Sequence, residues 1–96
     1  MRVGYKSQAD KLHLDLTEAD HCDGDDESIP LTVVELADEE PVGIDLREVS
    51  THGTDAPLRA VAQKYGLDAD ALIAAGRVAY EAPDRTITLE FDETSA

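Results

Sequence analysis

The residues able to do metal or nucleophile chemistry are few and lie mainly in the first half of the chain. Cys22 is the only cysteine, and the histidines are His13, His21 and His52. His21 and Cys22 are adjacent instead of being spaced as a chelating pair, and no second cysteine completes a zinc set. We therefore predict no tightly bound transition metal and no cofactor.

The acidic stretch DHCDGDDE, residues 20–27, has the composition of a calcium loop. If Gly24 takes the glycine position of an EF-hand, Pro30 falls where the bidentate glutamate is required. The EF-hand pattern therefore fails, and the stretch is typical of a solvated acidic loop.

Residue types that serve in catalysis are present, but their spacing matches no known catalytic motif. Carboxylates around Cys22 oppose ionisation of its thiol, and the chain contains no GxSxG, P-loop or GxGxxG motif. A core built from 96 residues also leaves little room for a deep pocket. We predict that the protein is not an enzyme. A metal-dependent enzyme is the alternative that convergence of His13, His21 and Cys22 with carboxylates would favour.

The charge balance limits the partners. The chain has 22 acidic and 8 basic residues, a net charge of −14, and such a surface repels nucleic acid and anionic lipid. The excess of Asp over Glu and the scarcity of Lys are typical of proteins kept soluble in a salty cytoplasm, and ordinary acidic bacterial proteins share them. One cysteine fits a reducing compartment, and MRVGYKSQAD lacks the apolar segment of a signal peptide. We expect a cytoplasmic protein that binds neither nucleic acid nor membrane.

The first half, residues 1–50, predicts an antiparallel β-meander of four strands. In KLHLDLT, residues 11–17, leucines alternate with polar residues, as in a half-buried strand. RVGY predicts a short strand before it, whereas IPLTVVELA and VGIDLREV predict two strands after it, joined by a tight DEEP turn. Residues 18–28 have no apolar period and predict a loop.

The second half predicts an αα-hairpin over residues 55–82 and a final strand over residues 85–91. Pro57 suits the first turn of a helix, and Gly66 suits its C-terminal end. Asp68 is a capping residue for the second helix, which Pro83 ends. The fold class is therefore α+β, in a single domain of residues 1–96 with a loose acidic tail at 92–96.

The stretch AVAQKYGLDADAL, residues 60–72, has the spacing of a helix-turn-helix. In a DNA reader the first residues of the second helix approach bases and phosphates, and here they are Asp68 and Asp70. These anionic side chains suit the helix dipole and oppose DNA. We favour a plain αα-hairpin. The alternative is an antitoxin-like or transcription-regulatory protein that uses residues 58–80 as a helix-turn-helix.

Residues 1–50 resemble a family of small prokaryotic proteins, the domain-of-unknown-function family 2283. The residues that carry the resemblance are Tyr5, Ala9-Asp10, the leucines 12, 14 and 16, and Val42-Gly43-Ile44 with Leu46. The family usually has an aromatic residue in place of His13 and a glycine-containing turn in place of DEEP. The resemblance implies no established activity, although some members are similar to the antitoxin halves of toxin–antitoxin pairs.

Together these observations predict a small acidic module that binds another protein chain, either itself as a homodimer or a different protein. The strand TVVELA has apolar residues on both faces, whereas one αα-hairpin can cover only one face of the sheet. We expect the other face to be covered by the partner, with Val34 in the interface. In the rival arrangement, RTITLEF closes the sheet within one chain and leaves a monomer.

Overall fold

The computed structural model describes residues 1–17 and 21–89. The strands form one six-stranded antiparallel sheet in the order β3-β4-β5-β2-β1-β6, so β3 and β6 lie at its edges. The elements within these residues are β1 Arg2–Lys6, β2 Lys11–Asp15, β3 Gly24–Asp26, β4 Thr32–Ala37, β5 Glu40–Arg47, α1 Val49–His52, α2 Asp55–Tyr65, α3 Ala69–Glu81 and β6 Thr86–Thr88.

The α+β class is confirmed, but the count of four strands in the first half is wrong because β3 adds a fifth. The predicted loop over residues 18–28 contains β3, which pairs antiparallel with β4. Its sequence, GDD, has no apolar alternation, so periodicity could not indicate it, and only its pairing with β4 defines the strand. A short, acidic strand also suits a sheet edge, where it resists pairing with other chains.

The two connections that flank β4 differ from the predicted boundaries. Strand β4 begins at Thr32 instead of Ile29, because Thr32 N–H closes a turn on the Ile29 carbonyl at 3.2 Å. At its other end the tight turn consists of Asp38 and Glu39, both with positive φ. Positive φ at both central residues is the geometry that two-residue hairpins prefer, because it matches the twist of the strands. Glu40 and Pro41 of the predicted DEEP turn belong to β5.

One face of the sheet forms the core, and the other, which carries half-exposed side chains such as His13 and Asp45, we call the open face. The core face carries Val3, Leu14, Ile44 and Val34, which lie opposite one another in register and are at most 1% exposed. The prediction that Val34 lies in a partner interface is therefore wrong. Alternation in β4 directs Val34 inward, and its neighbour Val33 is the apolar side chain on the open face.

The αα-hairpin covers the core face, as predicted, and α3 packs over β1 and β2. Gly66 ends α2 with a left-handed conformation, and the Asp68 carboxylate accepts a hydrogen bond from Ala71 N–H at 3.2 Å. The two helices approach closely at Gly76, where a Cβ would lie 2.8 Å from Leu58 Cδ1. Thr54 precedes α2 but its side chain makes no cap hydrogen bond.

Residues 49–52 form the short helix α1, whereas the sequence predicted that the fourth strand continues through Val49. The chain leaves β5 at Glu48, whose φ of 53° turns the backbone and buries Val49 against the core. None of the helices in the described residues has the length and apolar character that crossing a membrane requires.

Strand β6 pairs with β1 at an edge of the sheet and does not close it. Ile87 and Leu89 pack against the core, which agrees with the predicted apolar face of RTITLEF. Glu90 and Phe91 of that stretch, and the predicted tail at 92–96, lie outside the described residues.

Candidate functional site

The open face of the sheet carries a polar cluster of one histidine and three carboxylates, which we call the His13 centre: His13, Asp15, Glu35 and Asp45. Its members come from β2, β4 and β5, which are neighbours in the sheet. The strand register places Asp45 directly opposite His13, and it places Gly43 between Asp15 and Glu35. Side chains from three separate stretches of the sequence therefore meet on one surface.

Both ring nitrogens of His13 face carboxylates. Nδ1 lies 2.5 Å from Asp45 Oδ1 and 3.9 Å from Glu35 Oε1, and Nε2 donates to Asp15 Oδ1. The imidazole is half-exposed, with 38% of its side-chain surface accessible. Because both nitrogens face acceptors, the ring in this arrangement is a doubly protonated imidazolium.

The carboxylates raise the pKa of His13 to about 9, mainly through the hydrogen bond that His13 Nδ1 donates to Asp45, with a further contribution from Asp15. Partial burial acts in the opposite direction. At neutral pH the centre therefore holds one positive ring among three carboxylates. Among the described residues, no lysine or arginine forms an ion pair with any of these carboxylates.

Gly43 gives the Glu35 side chain the room to reach the centre. A Cβ at position 43 would lie 2.6 Å from Glu35 Oε1, which is closer than two such atoms can approach. The absence of a side chain at this strand position therefore allows the carboxylate to cross over the backbone of β5 toward His13.

The residues that the sequence singled out as chemical candidates lie beside the centre or away from it. Cys22 is exposed, and its Sγ lies 3.8 Å from Glu35 Oε2. Desolvation and then the Glu35 charge raise the pKa of this thiol, so it is a poor nucleophile. His21 and Cys22 line a polar surface cavity of about 180 Å³ together with Asp15 and Glu35. His52 lies in α1 and does not join them.

The structure thus brings carboxylates together with a histidine, as metal chemistry requires. They surround His13, whereas His21 and Cys22 lie beside this cluster. Strand alternation in KLHLDLT placed His13 and Asp15 on one polar face. It did not indicate Asp45, because that contact spans 32 residues and depends on the register between β2 and β5. The only local sign of the contact was an acidic residue, Asp45, two positions after Gly43 in the predicted fourth strand.

A second surface feature is an apolar groove between the β3–β4 connection and helices α1 and α2, with a volume of about 320 Å³. We call it the Leu31 groove, because Leu31 is 37% exposed at its wall. Arg47 and His52 also line it. Its apolar lining consists mainly of Ile29, Pro30, Leu31, Ala56, Pro57 and Ala60.

The segment 58–80, the alternative helix-turn-helix, has three basic residues, Arg59, Lys64 and Arg77. Lys64 Nζ donates to Asp26 at 2.5 Å, and Arg77 donates to Asp55 at 2.6 Å. Two of its three cations are therefore engaged by carboxylates of the same chain. Together with Asp68 and Asp70 at the start of α3, these pairings oppose DNA binding by this segment.

No family model, curated protein or solved structure matches this chain. The resemblance of residues 1–50 to family 2283 therefore stays a prediction.

Proposed function

We propose that this protein is a protein-binding module, acting by association instead of catalysis, and that the Leu31 groove receives its partner. The observation that carries the proposal is Leu31 itself. It is a large apolar residue, left exposed, in a backbone conformation that leucine avoids, with a φ of 57°.

The conformation of Leu31 costs stability. A left-handed backbone costs a residue with a Cβ roughly 1–2 kcal/mol, and Leu31 does not belong to the buried core that could offset this cost. The conformation is fixed by pairing, because the Leu31 carbonyl accepts a hydrogen bond from Arg47 N–H at 2.9 Å. Strain of this kind is concentrated at binding surfaces, which supports a role for the leucine in contact with a partner.

Charge indicates the chemistry of the partner. Acidic residues adjoin the groove in the chain, since Glu27 comes shortly before Ile29, and Glu48 follows Arg47, the cation in the groove lining. The whole chain carries −14, so a second copy is repelled whereas a basic segment is attracted. We infer that the occupant is a segment of another protein that places an apolar side chain in the groove between Lys or Arg residues.

The proposal is tested with three synthetic peptides in a titration followed by backbone amide NMR at moderate salt. The first is an amphipathic Lys/Leu peptide, the second has Glu in place of Lys, and the third has Ser in place of Leu. We expect only the first to bind, with the largest shifts at Leu31, Gly53 and Ala60. Equal binding of the Lys/Ser peptide would indicate charge attraction alone and would contradict the proposal.

Variants locate the binding surface. Leu31→Asn removes the apolar side chain and should weaken binding of the Lys/Leu peptide at least about tenfold, which is the effect of losing a binding hot spot. Val78→Asn is the matched control, because Val78 is 39% exposed and lies on α3, outside the groove. Unchanged affinity in Leu31→Asn would overturn the proposal. A dimer in sedimentation that Leu31→Asn dissociates would instead identify a second copy as the occupant.

A further inference from the structure

We propose that the His13 centre is a binding site for one divalent transition-metal ion, held by His13 Nδ1, a Glu35 oxygen and an Asp45 oxygen. The site is separate from the Leu31 groove, so it goes beyond the proposed protein binding. It also departs from the expectation, drawn from the spacing of His21 and Cys22, that the chain binds no transition metal tightly.

The geometry is close to that of a coordinated ion. The three ligand atoms lie within 4.8 Å of one another. Zinc bonds of about 2.0–2.1 Å at tetrahedral angles place neighbouring ligand atoms about 3.3 Å apart. The present separations from Nδ1, 2.5 Å to Asp45 and 3.9 Å to Glu35, bracket that value. Shifts of less than about 1 Å in half-exposed side chains would therefore complete three bonds, with water in the remaining position.

Asp15 supplies the outer-shell partner that metal-bound histidines usually have. Its carboxylate accepts the Nε2 proton of His13, which leaves Nδ1 as the nitrogen facing Asp45 and Glu35. A carboxylate in this position fixes the tautomer and raises the basicity of the coordinating nitrogen. Asp15 is thus a positioning residue that does not itself bind the ion.

Charge balance also favours an ion. Three carboxylates surround one imidazole, and no lysine or arginine among the described residues forms an ion pair with these acids. Binding replaces the Nδ1 proton, which passes to solvent, by a 2+ ion. The centre then holds a neutral imidazole, three carboxylates and the ion, and sums to −1.

The donor set indicates the class of ion. An imidazole nitrogen suits zinc and its first-row neighbours, whereas calcium and magnesium take all-oxygen shells. The imidazole distinguishes the centre from the solvated acidic residues elsewhere on this surface, which attract any cation weakly.

The test is calorimetric titration of the intact chain with Zn²⁺ alone, combined with ¹⁵N NMR of the His13 ring. We expect one ion per chain and a change at Nδ1 that marks coordination. His13→Gln, Glu35→Gln and Asp45→Asn should each lower zinc affinity by at least about tenfold, and Asp15→Asn by about 10- to 100-fold.

Asp25→Asn is the matched control. Asp25 is the register partner of Glu35 on β3 and is exposed, so its loss removes one charge from the same face without removing a ligand. Zinc affinity in this variant should stay within about twofold of the original. Equal losses in Asp25→Asn and Glu35→Gln would overturn the proposal, as would equal affinity for Ca²⁺ or an unchanged Nδ1 signal in the unmodified protein. None of these results depends on binding at the Leu31 groove.

Discussion

At the level of single residues, Leu31 makes a prediction about stability that is separate from binding. Leu31→Asn should leave the free energy of unfolding unchanged or raise it by up to about 1 kcal/mol, because asparagine tolerates the left-handed backbone. The relieved strain offsets the apolar contact that is lost. Urea unfolding measures the change.

The matched comparison is Leu12→Ala in the core, where Leu12 is fully buried. That substitution should cost about 2–5 kcal/mol, as large-to-small changes in cores do. A comparable loss in Leu31→Asn would mean that Leu31 acts as a core residue, which would remove the main support for the Leu31 groove as a binding surface.

At the level of elements, the β4–β5 turn has the backbone geometry that two-residue hairpins prefer, but its two residues are poorly suited to that geometry. Asp38 and Glu39 both have positive φ, at 52° and 68°, a conformation in which Asn-Gly is strongly preferred. Replacing both residues by Asn-Gly should raise the free energy of unfolding by about 1 kcal/mol. Thermal and urea unfolding measure the gain. Glu40→Gly, at the first residue of β5, is the control. It should lower stability, because glycine weakens a strand.

The contact between β3 and α2 predicts a dependence on acid. The Asp26 carboxylate accepts hydrogen bonds from Lys64, Tyr65 and the Ser28 backbone. These bonds, that of Lys64 first, hold the pKa of Asp26 well below its ordinary 3.8. The unfolded chain therefore takes up the proton at higher pH than the folded chain does. The stabilisation is present above about pH 4 and is lost as the pH falls toward the folded pKa.

Asp26→Asn should accordingly be less stable than the unmodified protein at pH 6, and the difference should narrow as the pH approaches 2. Asp25→Asn serves as the control, because it removes the same charge from the neighbouring position. General charge repulsion therefore changes equally in the two variants. Urea unfolding at several pH values measures the difference. A constant gap between the two variants across this range would contradict the role given to Asp26.

Local patterns predicted the elements that depend on local physics. The alternation of Leu12, Leu14 and Leu16 identified β2, and Gly66 with Asp68 marked the junction of α2 and α3. The sequence did not predict β3, because GDD has no apolar residue and only its pairing with β4 defines the strand. It also did not predict the inward orientation of Val34, which depends on where β4 begins. The His13 centre was missed for the same reason, because Asp45 and Glu35 reach His13 only through the register of three strands.

At the level of the whole molecule, the net charge of −14 predicts that stability depends on salt. Repulsion among like charges opposes the compact state and is screened as ionic strength rises. The thermal midpoint should therefore rise with NaCl from tens of millimolar upward. Sucrose, which is excluded from protein surfaces without screening charge, is the control for the non-electrostatic part. A midpoint that NaCl does not move would contradict the expectation.

The charge also predicts that the chain does not bind duplex DNA specifically. Asp68 and Asp70 stand at the head of α3, and Lys64 and Arg77 are paired with carboxylates. Fluorescence anisotropy with a labelled pool of random duplexes at moderate salt should show no binding. Selection of a sequence from that pool would support the helix-turn-helix alternative over residues 58–80.

The order of the elements along the chain has a consequence for synthesis. All strands of the sheet except β6 are complete at Arg47, whereas α3, which covers β1 and β2, extends to Glu81 and buries Ala79. The 32 residues between Arg47 and Ala79 take about 2–6 s to translate at ordinary rates of elongation. During that time the apolar face of the nascent sheet is bare. Residues 1–47 already carry 13 acidic and 4 basic residues, a net charge of −9. Chains growing on neighbouring ribosomes therefore repel one another until the helices cover that face.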